Sequence, residues 1–563
     1  MKVFIEIFSL FKIIKYFKNK LKYIFIKYLN INFFFLIILF LSTNIYSQVF
    51  QDWIRYYPNT SSTDTTAGGT SLVLDDSNHV YVLGLAIINN VYNYVLIKYN
   101  INGDLIWIRY YNGYNSGGRI PHSISIDKFS NVFITGYDYV NGNYFDYCTI
   151  KYSSSGVQQW VQWYDGPVHG IDQANFVNTD AVGNIYVSGF STVSGNNSFV
   201  YTTIKYLQDG SLRWTNSYGI GSLNTNINSM KTDNNCSVYI TGINNNFATT
   251  IKYDSAGNQI WVNQYPNSSN MSASAKCIVL DETNNVYISG LCHIRGSSIQ
   301  SDCFTIKYSS TGIQQWVKIF NPDSLNGSSM YKGNSISLDN SGNIIISGVY
   351  NTDQFSSTKF FIIKYSNDGN LIWLQKDSNT ITNQNNFMDL DNTNHIYISN
   401  SYSKTNYLYT ISTTKFDSSG RKMWSINYFD SLASPSCIKV DFNNNIFLTG
   451  NIKDKLITIK YSQPLGIIQN NKNILDEYSL FQNYPNPFNT STVIKLNVPI
   501  ESNNKLVLKI YDALGNNIKN YYILKPGQIS LLWDGSDYSS GLYFYSLQIN
   551  GKLIYSKKMI LIK

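Results

Sequence analysis

The chain has 563 residues, of which 14% are charged and 15% aromatic, and its formal net charge is +8. Seven lysines against one glutamate in residues 1–47 carry +6 of that charge and leave +2 for everything after them, which removes the main argument for a nucleic-acid partner. Six cysteines without a Cys-x-x-Cys pair give zinc and c-type haem no motif.

Residues 1–47 read as a signal peptide. A lysine-rich stretch precedes an apolar run at 33–41, and polar residues 42–47 lead to Gln48. Nine apolar residues fall short of the roughly 20 that span a bilayer. The basic stretch is long and Ile45 is a poor small residue before a cut, so an uncleaved anchor is the alternative.

From residue 48 to 462 the chain repeats. An aromatic closing an Ile-Lys-Tyr-like tripeptide stands eight residues before a tryptophan seven times: Tyr99–Trp107, Tyr152–Trp160, Tyr206–Trp214, Tyr253–Trp261, Tyr308–Trp316, Tyr365–Trp373 and Phe416–Trp424. An aspartate stands nine residues before a strand-ending glycine or asparagine eight times, from Asp75–Gly84 to Asp441–Gly450. Such a period, built of short strands, indicates a propeller or a related array. Each unit reads as four strands, A to D. Alternation of small polar and β-branched residues, as at Ser123–Ile126, marks strand A. Asp, Asn, Ser and Gly mark tight A–B and C–D turns. The eighth unit ends at Tyr461 without a tryptophan strand, whereas Trp53-Ile54-Arg55-Tyr56-Tyr57 precedes the first and matches Trp107-Ile108-Arg109-Tyr110-Tyr111. The expectation is an all-β chain with an eight-bladed propeller, rather than a seven-bladed one. The N-terminal strand would complete its last blade and leave no orphan edge.

The units, for example Asn184-Ile185-Tyr186-Val187-Ser188-Gly189, resemble the bacterial SBBP β-propeller repeat. That resemblance implies a fold and carries no chemistry. All length variation falls in the B–C and D–A connections. Gly242 to Tyr253 is 11 residues and Gly290 to Tyr308 is 18; Trp424 to Asp441 is 17 and Trp316 to Asp339 is 23. Both kinds of connection emerge on one face, where binding usually resides. Tyr331, Asn334, Gln354 and Phe355 are the candidate ligand-binding residues there, with groups suited to a glycan or protein surface.

Other recurring residues read as structural. The strand-C lysines (Lys98, Lys151, Lys205, Lys252, Lys307, Lys364, Lys415, Lys460) are expected to pack their stems and expose their heads. The strand-A aspartates are expected to cap turns, and the tryptophans to fill the space between blades. His79 and His395 read as solvated turn residues. His122, His169 and His293 fall in or beside variable connections and are the one mild metal or acid–base hint. Cys292 and Cys303 flank one B–C loop and are placed to bridge it in an oxidising compartment. Two before each aspartate, Ser125, Asn178, Lys231, Ser337, Asp389 and Lys439 are candidate channel-lining groups. No catalytic residue, metal ligand or cofactor is assigned.

After a linker at 463–477, residues 478–563 form a second domain. It opens with Leu480-Phe481-Gln482-Asn483-Tyr484-Pro485-Asn486-Pro487-Phe488-Asn489 and continues through Lys509-Ile510-Tyr511-Asp512-Ala513-Leu514-Gly515, Trp533-Asp534-Gly535, Ser540-Gly541-Leu542-Tyr543 and Lys557-Lys558-Met559-Ile560. These segments resemble the C-terminal sorting domain of type IX secretion substrates. The resemblance implies a small Ig-like β-sandwich read by the outer-membrane translocon. It also implies a sorting motif at Tyr484, Pro485, Asn486, Pro487, Phe488, Asn489, Gly515, Gly541, Lys557 and Lys558, and a Bacteroidetes-like source. The whole reads as a monomeric protein exported through the periplasm to the cell surface or beyond, a non-catalytic binding or adhesion scaffold for an unknown glycan or protein. The alternative is an exported propeller enzyme, quinoprotein-like or polysaccharide-active.

Overall fold

The computed structural model describes residues 49–563, apart from 464–477 and short stretches at 59–64, 114–117, 141–143, 196–197, 267–269, 295–299, 324–328, 352–357, 378–380, 382–385, 406–407, 429–431, 484–485, 499–505 and 524–526. The expected signal peptide, most of the expected linker, and Gln354, Phe355, Tyr484 and Pro485 lie outside the described residues. Among the described residues every regular element is a β-strand. The chain divides into two compact units, one within 46–466 and one containing 467–563.

In the first unit, eight four-stranded antiparallel sheets follow one another. Seven are sequential, at 65–111, 119–164, 172–222, 225–265, 271–320, 330–376 and 387–428. The eighth takes Ala433–Val440, Ile446–Ile452 and Lys455–Ser462 as strands A to C, and Phe50–Tyr57 as its fourth strand. Trp53 pairs with Lys460 and Tyr57 with Leu456, so the N-terminal strand occupies the place the sequence assigns it. Strand A of each sheet packs on strand A of the next, and strand A of the first packs on the eighth. The arrangement is a β-propeller.

The fixed spacings are turn geometry. In every A–B turn the aspartate carboxylate accepts backbone N–H bonds from the residues two and four later, as Asp127 does from Phe129 and Asn131 at 2.8 Å. The residue three after it has positive φ, whether Asn78, Ser130, Gly183, Cys236, Asn284, Gly342, Asn394 or Asn444. The C–D turns use glycine at that place for a second reason. A Cβ at Gly312 would lie 2.7 Å from the ring of Trp261 in the preceding sheet.

The second unit has a three-stranded and a four-stranded sheet closed over one core that holds Phe488, Leu508, Trp533, Tyr545 and Met559.

Candidate functional site

The recurring lysines and tryptophans hold neighbouring sheets together. Trp214 Nε1 and Lys205 Nζ both donate to the Ser255 carbonyl in the next sheet's C–D turn, at 3.2 and 2.8 Å. Trp160 and Lys151 share Gln208 O, Trp373 and Lys364 share Ser418 O, and Trp53 and Lys460 share Ile101 O. Five of the eight lysines, Lys98, Lys205, Lys364, Lys415 and Lys460, are buried rather than presented to solvent as the sequence suggested, and Lys151, Lys252 and Lys307 are half-buried; Lys205 is 4% exposed, and its ammonium lies 4.9 Å from the Tyr186 ring centroid. A row of carbonyl acceptors and ring faces compensates the burial. His79 and His395 likewise bond their turn aspartates, at 2.9 and 3.0 Å, instead of standing free in water.

The pattern breaks at one seam. The eighth sheet borrows its fourth strand, and among the described residues no C–D turn faces Trp424 and its buried Nε1 has no partner. Gln463 stands in for the missing turn. Its Oε1 accepts from Lys415 Nζ at 2.7 Å, and its Nε2 donates to Asn444 O at 2.9 Å.

Two inner-strand lysines have pKa values shifted by charges on other sheets. The Lys231 ammonium in the fourth sheet has its pKa lowered by desolvation first and then by Lys439 in the eighth; Lys439 has its own raised, first by Asp389 in the seventh.

On the opposite face the expected residues fare unevenly. Tyr331 is fully buried in strand Met330–Leu338, stacked on Tyr350 with ring centroids 5.3 Å apart, and its hydroxyl donates to Asp323. It is a core residue; its place after a variable connection hid the inward turn of its strand. Asn334, on the same strand, is half-buried. His122 is half-buried, donates through Nδ1 to Ala174 O at 2.9 Å, and has its pKa lowered, first by desolvation. Cys292 and Cys303 are free thiols. Cys303 pairs with Leu291 and Cys292 with Asp302, so the two sulfurs leave opposite faces of the sheet, into separate cores, and cannot bridge.

Two features of this face carry polar chemistry that spacing did not reveal. A cleft of about 440 Å³ opens between the fourth and fifth sheets, lined by Asn224, Asn226, Asn228, Asn246, Lys276 and His293 among others. Asn224 and Asn226 are exposed, and Asn228 Nδ2 donates to Ala275 O across the sheet boundary at 2.7 Å. Lys276 has its pKa lowered, by burial first and then by Lys332. Between the second and third sheets, Asp146, Asp165 and Asp172 bring carboxylate oxygens within 4.8 Å of one another. Burial first, then the neighbouring acids, pushes the Asp146 carboxyl up to about 7. Burial pushes Asp172 up to about 6. His169 Nδ1 bonds Asp165 Oδ2 at 2.6 Å and its pKa is raised by that bond.

In the second unit the expected sorting residues are scattered through one small fold. Asn486 Oδ1 accepts from Ile560 N at 2.8 Å, and Phe488 exchanges backbone bonds with Ile560 and Ile562 while its ring packs on Trp533. Asn489 follows at the edge of that bridge. Gly515 has φ +85° in a turn, and nothing crowds Gly541. Lys557 and Lys558 pair with Tyr545 and Phe544, with Lys558 exposed.

Residues 482–563 match the family described as "Secretion system C-terminal sorting domain". The chain thus carries a type IX sorting domain, which directs a protein to the cell surface or outside and implies contact with that secretion system. No curated protein matches the chain. Similar solved structures include a protein from Lactobacillus plantarum (11% identity, 66% of this chain and 98% of that one, TM-score 0.38). A WD40 domain of SCAP from fission yeast is similar at 8% identity, over 73% of this chain and 98% of that one, with TM-score 0.40. Prolyl oligopeptidase B from Galerina marginata is similar at 9%, over 77% of this chain and 55% of that one, with TM-score 0.40.

Proposed function

We propose that the protein is an exported, non-catalytic binding scaffold that holds a glycan or a protein surface on the face where the D–A and B–C connections emerge. The asparagine-lined cleft between the fourth and fifth sheets is the observation that carries this reading. Amides offer paired donors and acceptors, the groups that recognise sugar hydroxyls or a peptide backbone. The opposite face is built of repeated turns and offers little that differs between sheets.

The scaffold is an eight-bladed ring of SBBP-like repeats at 48–462, closed by its N-terminal strand. The packing of the first sheet on the eighth supports that count. A signal peptide at 1–47 starts export through the periplasm. A linker at 463–477 leads to an Ig-like sorting domain at 478–563, which the outer-membrane translocon reads through the Tyr484–Asn489 element and the Lys557-Lys558 end. The protein works as a monomer.

A glycan array probed with the full chain tests the binding role. Asn226→Ala is expected to weaken a detected ligand at least tenfold, while Lys128→Ala and Glu282→Ala in A–B turns leave it unchanged. Loss confined to the turn variants would overturn the assignment of the face. Turnover of an arrayed sugar, lost on changing His122 or His169, would overturn the non-catalytic reading.

A further inference from the structure

We propose that Asp146, Asp165 and Asp172 form a binding site for a hard divalent cation, calcium being the ion whose chemistry fits. The three come from different elements. Asp146 lies in strand C of the second sheet (Tyr144–Tyr152), Asp165 in the connection that follows that sheet, and Asp172 opens strand A of the third (Asp172–Thr179). Their oxygens lie within 4.8 Å of one another. Oxygens bound to one calcium ion at about 2.4 Å can be at most about 4.8 Å apart, so the pairwise spacing of the three is within the reach of a single ion.

The polar groups around the cluster are incompletely used. Asp146 is 6% exposed, and among the described residues no donor bonds to it. Ser191, directly opposite Asp172 in the sheet, is 1% exposed, and among the described residues its Oγ has no partner at hydrogen-bond distance. That hydroxyl lies close enough to the Asp172 carboxyl to oppose the rise in its pKa. Asp172 itself is held by Gly166 N at 2.8 Å and Thr192 N at 3.3 Å. A Cβ at Gly166 would stand 2.7 Å from Asp172 Oδ1, so glycine permits that approach. The cluster is thus a fixed, oxygen-only set with a buried carboxylate and a buried hydroxyl left over. Oxygen donors of this kind favour calcium or magnesium over softer metals.

Equivalent places elsewhere in the ring show what is missing. One boundary earlier, the residue opening strand A is Arg119, and its Nε meets Asp138 at 2.9 Å with both side chains fully buried. There the chain supplies its own cation. At the boundary between the fifth and sixth sheets, Asp302 occupies the register of Asp146 and accepts from Asn321 Nδ2 at 2.7 Å. Asp323, in the connection beyond, is paired with Lys376 at 3.0 Å. Between the second and third sheets three acids meet with no lysine or arginine bonded to them among the described residues. His169, which is exposed and bonded to the outer acid Asp165, is the one basic partner.

Calorimetric titration of the chelator-stripped full chain with calcium tests this, with terbium luminescence as a second readout through nearby Trp163 and Tyr164. One ion per chain is expected, with Kd at or below about 1 mM, the upper range of extracellular calcium modules. Asp146→Asn keeps the shape, removes the charge and should weaken binding at least tenfold. Asp165→Asn, in an exposed connection, should also weaken it and leaves the buried residues intact should the first variant fail to fold. Calcium should raise the melting temperature of the unaltered protein and not that of either variant. No saturable binding by the folded chain up to about 10 mM calcium, ten times that range, would overturn the proposal. So would equal binding by both variants. Zinc displacing calcium at equal concentration would overturn the choice of a hard ion.

Discussion

Buried carboxylates occur at both ends of the propeller sheets, in opposite circumstances. At the A–B turns, Asp391 takes N–H bonds from Thr393 and His395, hydroxyl bonds from Thr393 and Tyr397, and the ammonium of Lys415 at 3.8 Å. Burial alone would raise its pKa, but the bonds led by His395 and Thr393 outweigh it and hold the carboxyl well below the usual range. At the other end Asp146 is as deeply buried, receives no donor among the described residues, and is pushed up to about 7. Burial is common to both, so it is the supply of donors that decides whether a buried acid strengthens the fold or strains it. The first arrangement is complete within one sheet. The second is completed only by residues from two sheets.

The same substitution should therefore have opposite signs at the two ends. Asp391→Asn is expected to destabilise by about 3 kcal/mol, because Lys415 and two hydrogen-bond donors lose a charged partner in a site where the Asp391 side chain is fully buried. Asp146→Asn in metal-free buffer is expected to stabilise by about 1 kcal/mol at pH 8, since it removes an uncompensated buried charge. Urea unfolding of both variants in chelator checks the pair, and equal destabilisation would erase the distinction.

The pH dependence should divide in the same way. The folded-state pKa of Asp391 lies below its unfolded value, so its contribution is present above about pH 4 and is lost as pH falls below that. The pKa values of Asp146 and Asp172 are raised, to about 7 and about 6, so without metal they contribute nothing below about pH 4 and destabilise progressively as pH rises toward 7. Urea midpoints from pH 3 to 8 should show the Asp391→Asn deficit shrinking toward acid and the Asp146→Asn gain growing toward pH 8. Parallel curves for the two variants would contradict both assignments.

A smaller effect separates the seam from the other sheet boundaries. Trp53 Nε1 bonds Ile101 O at 2.9 Å, whereas Trp424 Nε1 is buried and unpaired among the described residues. Trp53→Phe should cost about 1 kcal/mol more than Trp424→Phe, the net value of one buried hydrogen bond. Thermal unfolding of the two variants side by side measures that difference directly.

Much of the architecture was legible in the chain because it rests on short-range rules. The eight-residue step fixes a C–D turn, the nine-residue step an A–B turn, and the spare Trp53 strand matches the place left open beside Lys455–Ser462. The sorting tail was legible for a different reason: several separated segments of one known pattern agree. The residues expected to bind were less well placed. Tyr331 follows a variable connection yet turns inward, because strand alternation near a bulge between Gly333 and Ser335 is set by pairing with the neighbouring strand.

By itself the sequence determined the strand class, the repeat, the pairing of the first strand with the last sheet and the export address, all of which depend on neighbours in the chain or on a recurring pattern. Tertiary structure alone decided that strand-C lysines such as Lys205 reach the next sheet's carbonyls, that Cys292 and Cys303 face opposite cores, and that Asp146, Asp165 and Asp172 converge. Those outcomes depend on which side chains two separately formed sheets bring face to face, and on how many donors each finds there. No spacing along a single chain encodes that number.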